Sequence, residues 1–261
     1  MPDGPLQGRA ALVTGAGRGI GKAIAARLTA DGARVLVNDV DEDVARAAAD
    51  ELPGAVAAAG SVADPKVTEE LVAVAERELG TLDIVVNNAG ITRDNAFHRM
   101  TDEEWDFVID VSLRGTFNVC RSAARLLRRK DAPYNRKVVN MASINGIYGV
   151  PFNANYSAAK GGVMGLTKAL SREWAHLKIN VNAVAPGYIE GTRLTAPRGE
   201  GDQLGMPAEV VDIVRAQIPI GRPGQPEDVA AAVAFLSSPD SDYMTGQILE
   251  IHGGMEMVKI A

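Results

Sequence analysis

The chain has 261 residues, 46% hydrophobic and 23% charged, the balance of a globular protein with a full core rather than of a disordered one. Its net charge of -6 argues against nucleic acid or an anionic membrane as partner, because both need clustered lysine and arginine. A single cysteine, Cys120, rules out an internal disulfide, and three scattered histidines offer no metal cluster.

No Pro-, Gly- or Ser-rich linker divides the sequence, so one domain is expected over residues 1–261. The opening MPDGPLQGR carries no apolar signal-like stretch and no run of about 18 apolar residues follows, so the expected compartment is the cytoplasm. The run AALVT up to Thr14 ends in glycines and gives way to Ile20, Ile24 and Leu28, which reads as strand, tight turn and helix. Asp31-Gly32 stops that helix, and Ala33 to Asn38 forms a second buried strand of a βαβ unit. A helix over Val44 to Leu52, a weaker strand at 55–60, a helix over Val67 to Leu79 and a strand over Leu82 to Val86 follow. This β-then-α rhythm predicts a doubly wound sheet that binds ligands at its strand ends.

Thr101-Asp102-Glu103-Glu104 is a capping box that opens a long helix, with Trp105, Val108, Ser112 and Thr116 on its inward stripe. Lys137 to Met141 is the next strand and delivers Ser143 to its carboxyl end. A helix over Tyr156 to Ala175 and a strand over Ile179 to Val184 come after it. Between Pro186 and Pro226 the pattern dissolves except for a short helix near Ala208 to Gln217, so a substrate lid is expected at about 190–225. A helix over Glu227 to Leu236 and a strand over Gln247 to Ile251 close the chain.

The turn T-G-A-G-R-G-I-G at 14–21 joins the first strand to the first helix. Its spacing is G-x-x-x-G-x-G, with Gly15 for the turn, Gly19 and Gly21 for close approach, and free N–H groups at the helix start for a pyrophosphate. A sharp strand-to-helix turn without a ligand is the plain alternative. Asp39 closes the second strand, 24 positions after Gly15, where a carboxylate accepts from ribose hydroxyls and repels a 2′-phosphate. Arg18 pulls toward that phosphate, but Asp41 adds negative charge, so the reading favours NAD over NADP.

Tyr156 and Lys160 are four apart and share one helical face. An ammonium beside a phenol favours the phenolate, so Lys160 is expected to pull the Tyr156 pKa from near 10 toward neutrality and make it a general acid or base. Ser143, thirteen positions earlier, would hold a carbonyl oxygen. A solvated helix face is the plain alternative for this spacing.

T-G-x-x-x-G-I-G at 14–21, N-N-A-G at 87–90, Ser143 with Tyr156-x-x-x-Lys160, and Pro186-Gly187 with Thr192 together resemble the short-chain dehydrogenase/reductase family. NNAGITRDNAFHRM and the ending TGQILEIHGGMEMV look most like its 3-oxoacyl-[acyl-carrier-protein] reductases. The resemblance implies an α/β fold, a single Rossmann-type domain with a mainly parallel seven-stranded sheet and helices on both faces. It implies an oxidoreductase transferring a hydride between NAD(H) and a secondary alcohol or ketone, and a homotetramer. By position Gly15, Arg18, Gly19, Ile20 and Gly21 would hold the pyrophosphate side. Val62, Asn88, Ala89 and Gly90 would hold adenine and ribose, and Pro186, Gly187, Ile189 and Thr192 would flank the nicotinamide. Tyr156 would pass the proton, Lys160 would lower its pKa and bind the nicotinamide ribose, and Ser143 would polarise the carbonyl. The family usually has asparagine in the middle of the long helix, holding a water. Ser112 stands there, either binding that water or bonding back into its own helix. Ser61 also departs, from the Asp or Asn that commonly precedes Val62. Near the end of the Tyr156 helix, His176-Leu177-Lys178 replaces the arginine of members that dock an acyl carrier. Asn145, Tyr148, Asn153 and Tyr188 are candidates to line the substrate pocket. A non-catalytic dinucleotide-binding regulator is the alternative function.

Overall fold

In the computed structural model, residues 4–130, 132–197, 199 and 204–255 are described. Seven strands form one sheet: β1 (Ala10–Val13), β2 (Arg34–Asp39), β3 (Val56–Ala59), β4 (Ile84–Asn87), β5 (Arg136–Met141), β6 (Ile179–Pro186) and β7 (Ile248–Ile251). Their order is β3-β2-β1-β4-β5-β6-β7, and every pairing is parallel, as Val13 opposite both Val37 and Val86 illustrates. The central strands read as unbroken apolar runs because both sheet faces are covered. Ala11, Val13, Val35, Val37 and Val86 point into one core, while Ala10, Leu12, Leu36 and Val85 point into the other.

The helices divide between those faces. On the first lie α1 (Gly19–Ala30), α2 (Glu42–Asp50) and, from the far end of the chain, the helix Pro226–Ser237. On the second lie α3 (Pro65–Val74), a helix over Gly115–Leu127 and the end of the helix Ala154–Trp174, whose Trp174 is buried there. In chain order the remaining helices are numbered α4 (Asp102–Ile109), α5 (Gly115–Leu127), α6 (Asn145–Tyr148), α7 (Ala154–Trp174), α8 (Ala208–Ala216) and α9 (Pro226–Ser237). The strand order reverses between β1 and β4, so a crevice opens beyond their carboxyl ends, the place where this architecture binds ligands.

The capping box forms as the sequence indicates, Glu104 N–H donating to Thr101 Oγ1 at 3.2 Å and Thr101 N–H to Glu104 Oε2 at 3.0 Å. The helix it starts runs on to Leu127 through a π-helical turn over Asp110–Arg114 between α4 and α5, and a second such turn over Ala75–Leu79 carries the α3 helix to its end. Such turns insert one residue into the helical ladder without changing the hydrophobic spacing enough to be seen in sequence.

Candidate active site

Three elements converge at the carboxyl edge of the sheet. β5 ends at Met141 and carries Ser143 just past the edge, α6 folds back, and α7 presents Tyr156 and Lys160 in its first two turns. The fold-back requires Gly146, because a Cβ there would stand 2.6 Å from Gly161 N and 2.7 Å from the Lys160 carbonyl carbon. Ser143, Tyr156 and Lys160 are all buried among protein atoms yet line one cavity of about 680 Å³.

Their hydrogen bonds are directional. Asn145 N–H donates to Ser143 Oγ at 3.2 Å, and the Ser143 hydroxyl bonds the Tyr156 phenol. Lys160 Nζ donates to the Met141 carbonyl at 2.6 Å and lies 5.4 Å from the centre of the Tyr156 ring. Beside it Gly90 leaves room that a side chain would take, since a Cβ there would be 3.2 Å from Lys160 Nζ and 3.6 Å from Ser112 Oγ.

The electrostatics correct one expectation. Burial pushes the Tyr156 phenol up to about 12, the Asp94 carboxylate pushes the same way, and the Ser143 hydrogen bond opposes both. Lys160 does not depress it: burial instead brings Lys160 down to about 8, with its ammonium turned to the Met141 carbonyl. Removing the phenolate from water outweighs a partner that is not directed at its oxygen.

Ser112 lies within the π-helical turn and is fully buried. Its Oγ accepts from Ile91 N–H at 3.3 Å rather than bonding back into the helix. The turn therefore ties the middle of the α4–α5 unit to the segment after β4.

On the other side of the crevice the glycine turn is built for close approach. Gly15 and Gly19 hold φ of +60° and +53°, and a Cβ on Gly21 would be 2.2 Å from the Gly15 carbonyl oxygen. The first turn of α1 carries no acidic residue, so its free N–H groups suit an anion. Asp39 is buried with both carboxylate oxygens committed, Oδ2 to Gly17 N–H at 3.1 Å and Oδ1 to Asp41 N–H at 3.3 Å. Arg18 reaches Asp41 at 3.7 Å.

The side chain of Asn88 is spent on this turn, donating from Nδ2 to the Thr14 and Gly15 carbonyls at 2.9 Å each. Val62 is buried against Gly115, its carbonyl held by Asn118 Nδ2 at 3.1 Å, and Ala89 packs on the same core. Ile20, Asn88, Gly90, Pro186, Gly187, Ile189 and Thr192 line the cavity with the Ser143 group. These residues of the glycine turn and the two strand ends thus face the catalytic candidates across the crevice.

Residues 15–256 match the family described as enoyl-(acyl carrier protein) reductase. The 3-oxoacyl-[acyl-carrier-protein] reductase FabG of Escherichia coli (strain K12) is 41% identical over 254 residues, covering 97% of this chain and 99% of that protein. This chain belongs to the short-chain dehydrogenase/reductase family. Proteins of the same name from Thermotoga maritima and Staphylococcus aureus (strain Mu50) are each 40% identical, over 254 and 255 residues, covering 96% and 95% of this chain and 98% of each relative. The protein is accordingly an NAD(P)-dependent oxidoreductase acting on CH–OH and keto groups, and the non-catalytic alternative finds no support.

Opposite the glycine turn, the short-chain dehydrogenase covers its cavity with apolar side chains. Ile144, Tyr188, Val211, Val214, Ile218 and Met255 form a separate cluster, with Met206 and Val210 packed on it. Within the segment 190–225 lies α8, whose Val211 and Val214 belong to this cluster; residues 198 and 200–203 of the insertion-like stretch 195–205 lie outside the described residues. The pocket candidates Asn145, Tyr148, Asn153 and Tyr188 all line the cavity. Asp94 lines it as well, and sequence reasoning missed it, because a single loop aspartate after NNAG carries no spacing signal.

Proposed function

We propose that this short-chain dehydrogenase/reductase interconverts 3-oxoacyl and 3-hydroxyacyl thioesters, with NAD(H) preferred over NADP(H). The observation that carries the reading is the single cavity in which Ser143, Tyr156 and Lys160 meet an apolar lid. A carbonyl at the Ser143–Tyr156 pair has a hydroxyl to polarise it and a phenol to protonate it, while Ile144, Met206, Val210 and Val214 suit an acyl chain. The nicotinamide group, when bound, supplies or accepts the hydride. In reduction the C=O π bond opens, the carbon gains the hydride and the oxygen takes the Tyr156 proton; oxidation reverses each change. Lys160 keeps donor capacity beyond its Met141 bond for a ribose hydroxyl and for returning a proton to Tyr156.

Gly15, Arg18, Gly19, Ile20 and Gly21 hold the pyrophosphate side, where the close backbone approach and the α1 start suit an anion. Val62, Asn88, Ala89 and Gly90 border the adenosine and ribose. Pro186, Gly187, Ile189 and Thr192 flank the nicotinamide. Ser112 supports this side through Ile91 rather than through a reacting atom. The NAD preference rests on Asp39 and Asp41, two carboxylates against the one guanidinium of Arg18. Residues 1–261 act as one domain whose lid at 190–225 closes over substrate, in a cytoplasmic homotetramer whose state sedimentation velocity reads.

Turnover of a panel of ketones, including 3-oxoacyl thioesters, with NADH and with NADPH tests the reading. Thioesters should be the best substrates, NADH should give the higher kcat/KM, and Tyr156→Phe should lose roughly 10²- to 10⁴-fold in kcat. No turnover by the wild type, or full turnover by Tyr156→Phe, would overturn it. A higher kcat/KM with NADPH would overturn the cofactor preference alone.

A further inference from the structure

A carboxylate on the cavity wall and a pair of carboxamides behind it take no part in the reaction described above. Asp94 lies between β4 and α4, and Asn153 Nδ2 donates to its Oδ1 at 2.6 Å. The buried Asn153 in turn accepts at Oδ1 from Asn145 Nδ2 at 3.1 Å. Asn145 also donates its main-chain N–H to Ser143 Oγ at 3.2 Å, and Ser143 bonds Tyr156. These contacts join Asp94 to Ser143, passing from the Asn145 side chain to the Asn145 main chain.

The path has one polarity. An ionised carboxylate only accepts, so Asn153 must turn its nitrogen to Asp94 and its oxygen to Asn145, which must then donate. The Asn145 side chain is thus held in place by donating to Asn153, while its main-chain N–H, a donor in any case, meets the Ser143 oxygen and leaves the Ser143 proton for the phenol or a substrate oxygen. The segment that carries Asp94 is tied down beside this path. Asn155 Nδ2 donates to the Arg93 carbonyl at 2.9 Å, and Asn95 N–H donates to the Phe152 carbonyl at 2.8 Å. Phe152 holds φ of +65°, a conformation uncommon for a bulky residue. The other charged groups near Asp94 are Arg99 and Lys160 on the cavity wall, Arg93 over the Phe107 ring at 4.8 Å, and Glu104, which accepts from Asn95 Nδ2 at 3.0 Å.

We propose that Asp94 is a positioning residue: through Asn153 its carboxylate anchors the Asn145 side chain, and so fixes the place of the Asn145 main-chain N–H that holds the Ser143 oxygen beside the substrate oxygen. This rests on the roles given above to Ser143 and Tyr156.

The test measures kcat, KM and the pH profile of kcat/KM for 3-oxoacyl thioester reduction in the wild type, Asp94→Ala, Asp94→Asn, Ser143→Ala and the double variant Asp94→Ala/Ser143→Ala. Asp94→Ala should lower kcat roughly ten- to hundredfold with a much smaller change in KM. Asp94→Asn keeps an acceptor for Asn153 and should recover most of that loss, while its alkaline limb moves to lower pH because a charge that raises the phenol pKa has gone. In the Ser143→Ala background, Asp94→Ala should cost nothing further. Wild-type kcat and pH profile in Asp94→Ala, no rescue by Asp94→Asn, or an equal cost in both backgrounds would each overturn the proposal while leaving the thioester reading intact. No turnover by the wild type would overturn both.

Discussion

The two lysines buried among the described residues, Lys137 on β5 and Lys160 on α7, lie at opposite edges of the sheet and live under opposite conditions. Lys137, at the amino end of β5, is fully buried and meets Asp242 Oδ1 at 2.7 Å, Asn180 Oδ1 at 3.0 Å and Ser241 Oγ at 3.2 Å. Its neighbour Arg136 meets the buried Asp83 at 3.2 Å, and Asp83 also accepts from Ala10 N–H and the Thr81 hydroxyl. Lys160, at the carboxyl end, has the Met141 carbonyl as its one hydrogen-bond partner among the described residues and no carboxylate partner there. The amino edge satisfies its charges, whereas the carboxyl edge leaves an ammonium and a phenol desolvated next to a cavity. That uncompensated cost is what marks a site of chemistry, and burial alone would not have separated the two lysines.

The comparison breaks most sharply on substitution. Lys160→Met should lower kcat by roughly two to four orders of magnitude, since it removes the group that serves Tyr156, while the urea midpoint holds or rises because a desolvated charge has gone. A stable variant with wild-type kcat would place Lys160 among structural lysines like Lys137. The opposite pattern is expected from Arg136→Met. It removes the charge partner of the fully buried Asp83 and should cost about 3–5 kcal/mol in urea unfolding, with kcat per folded molecule unchanged. A loss below about 1 kcal/mol would mean that Ala10 and Thr81 suffice to hold that carboxylate.

The sequence foretold the amino edge less well than the carboxyl edge. The strand and helix order was legible because buried parallel strands write themselves as apolar runs and helices as four-residue spacings. Ser143, Tyr156 and Lys160 were legible because strand end and helix start fix their positions within a short segment. The π-helical turn at Ser112 was not, since one extra residue leaves the stripe nearly intact, and the Ile91 N–H that Ser112 accepts from lies 21 positions earlier. The Asp94–Asn153 contact spans 59 positions and the Lys137–Asp242 pair 105, distances over which no periodicity operates. The Tyr156 pKa was misjudged for a related reason: four-residue spacing places two heads on one face but says nothing of the Met141 carbonyl that takes the ammonium.

The smallest expected effect is a pH dependence that separates the two lysines without any substrate. Lys160 has its folded pKa lowered from 10.5 to about 8 by burial, so between those values the unfolded chain holds more of this proton than the folded one. Stability carried by that group therefore rises with pH across the window and is flat outside it. Measured as the wild type minus Lys160→Met, the unfolding free energy should climb from pH 8 to 10.5 by at most about 1.4 kcal/mol per pH unit, the limit for one proton. Tyr156 and Cys120, both raised to about 12 by burial, work against stability at higher pH, but they are present in both proteins and cancel in the difference. Lys137 is lowered by burial too, yet Asp242 opposes that shift, so the same subtraction with Lys137→Met should give a shallower slope. Equal slopes would show that the carboxylate at the amino edge does little, and a flat Lys160 difference would show that its ammonium is less desolvated than its position implies.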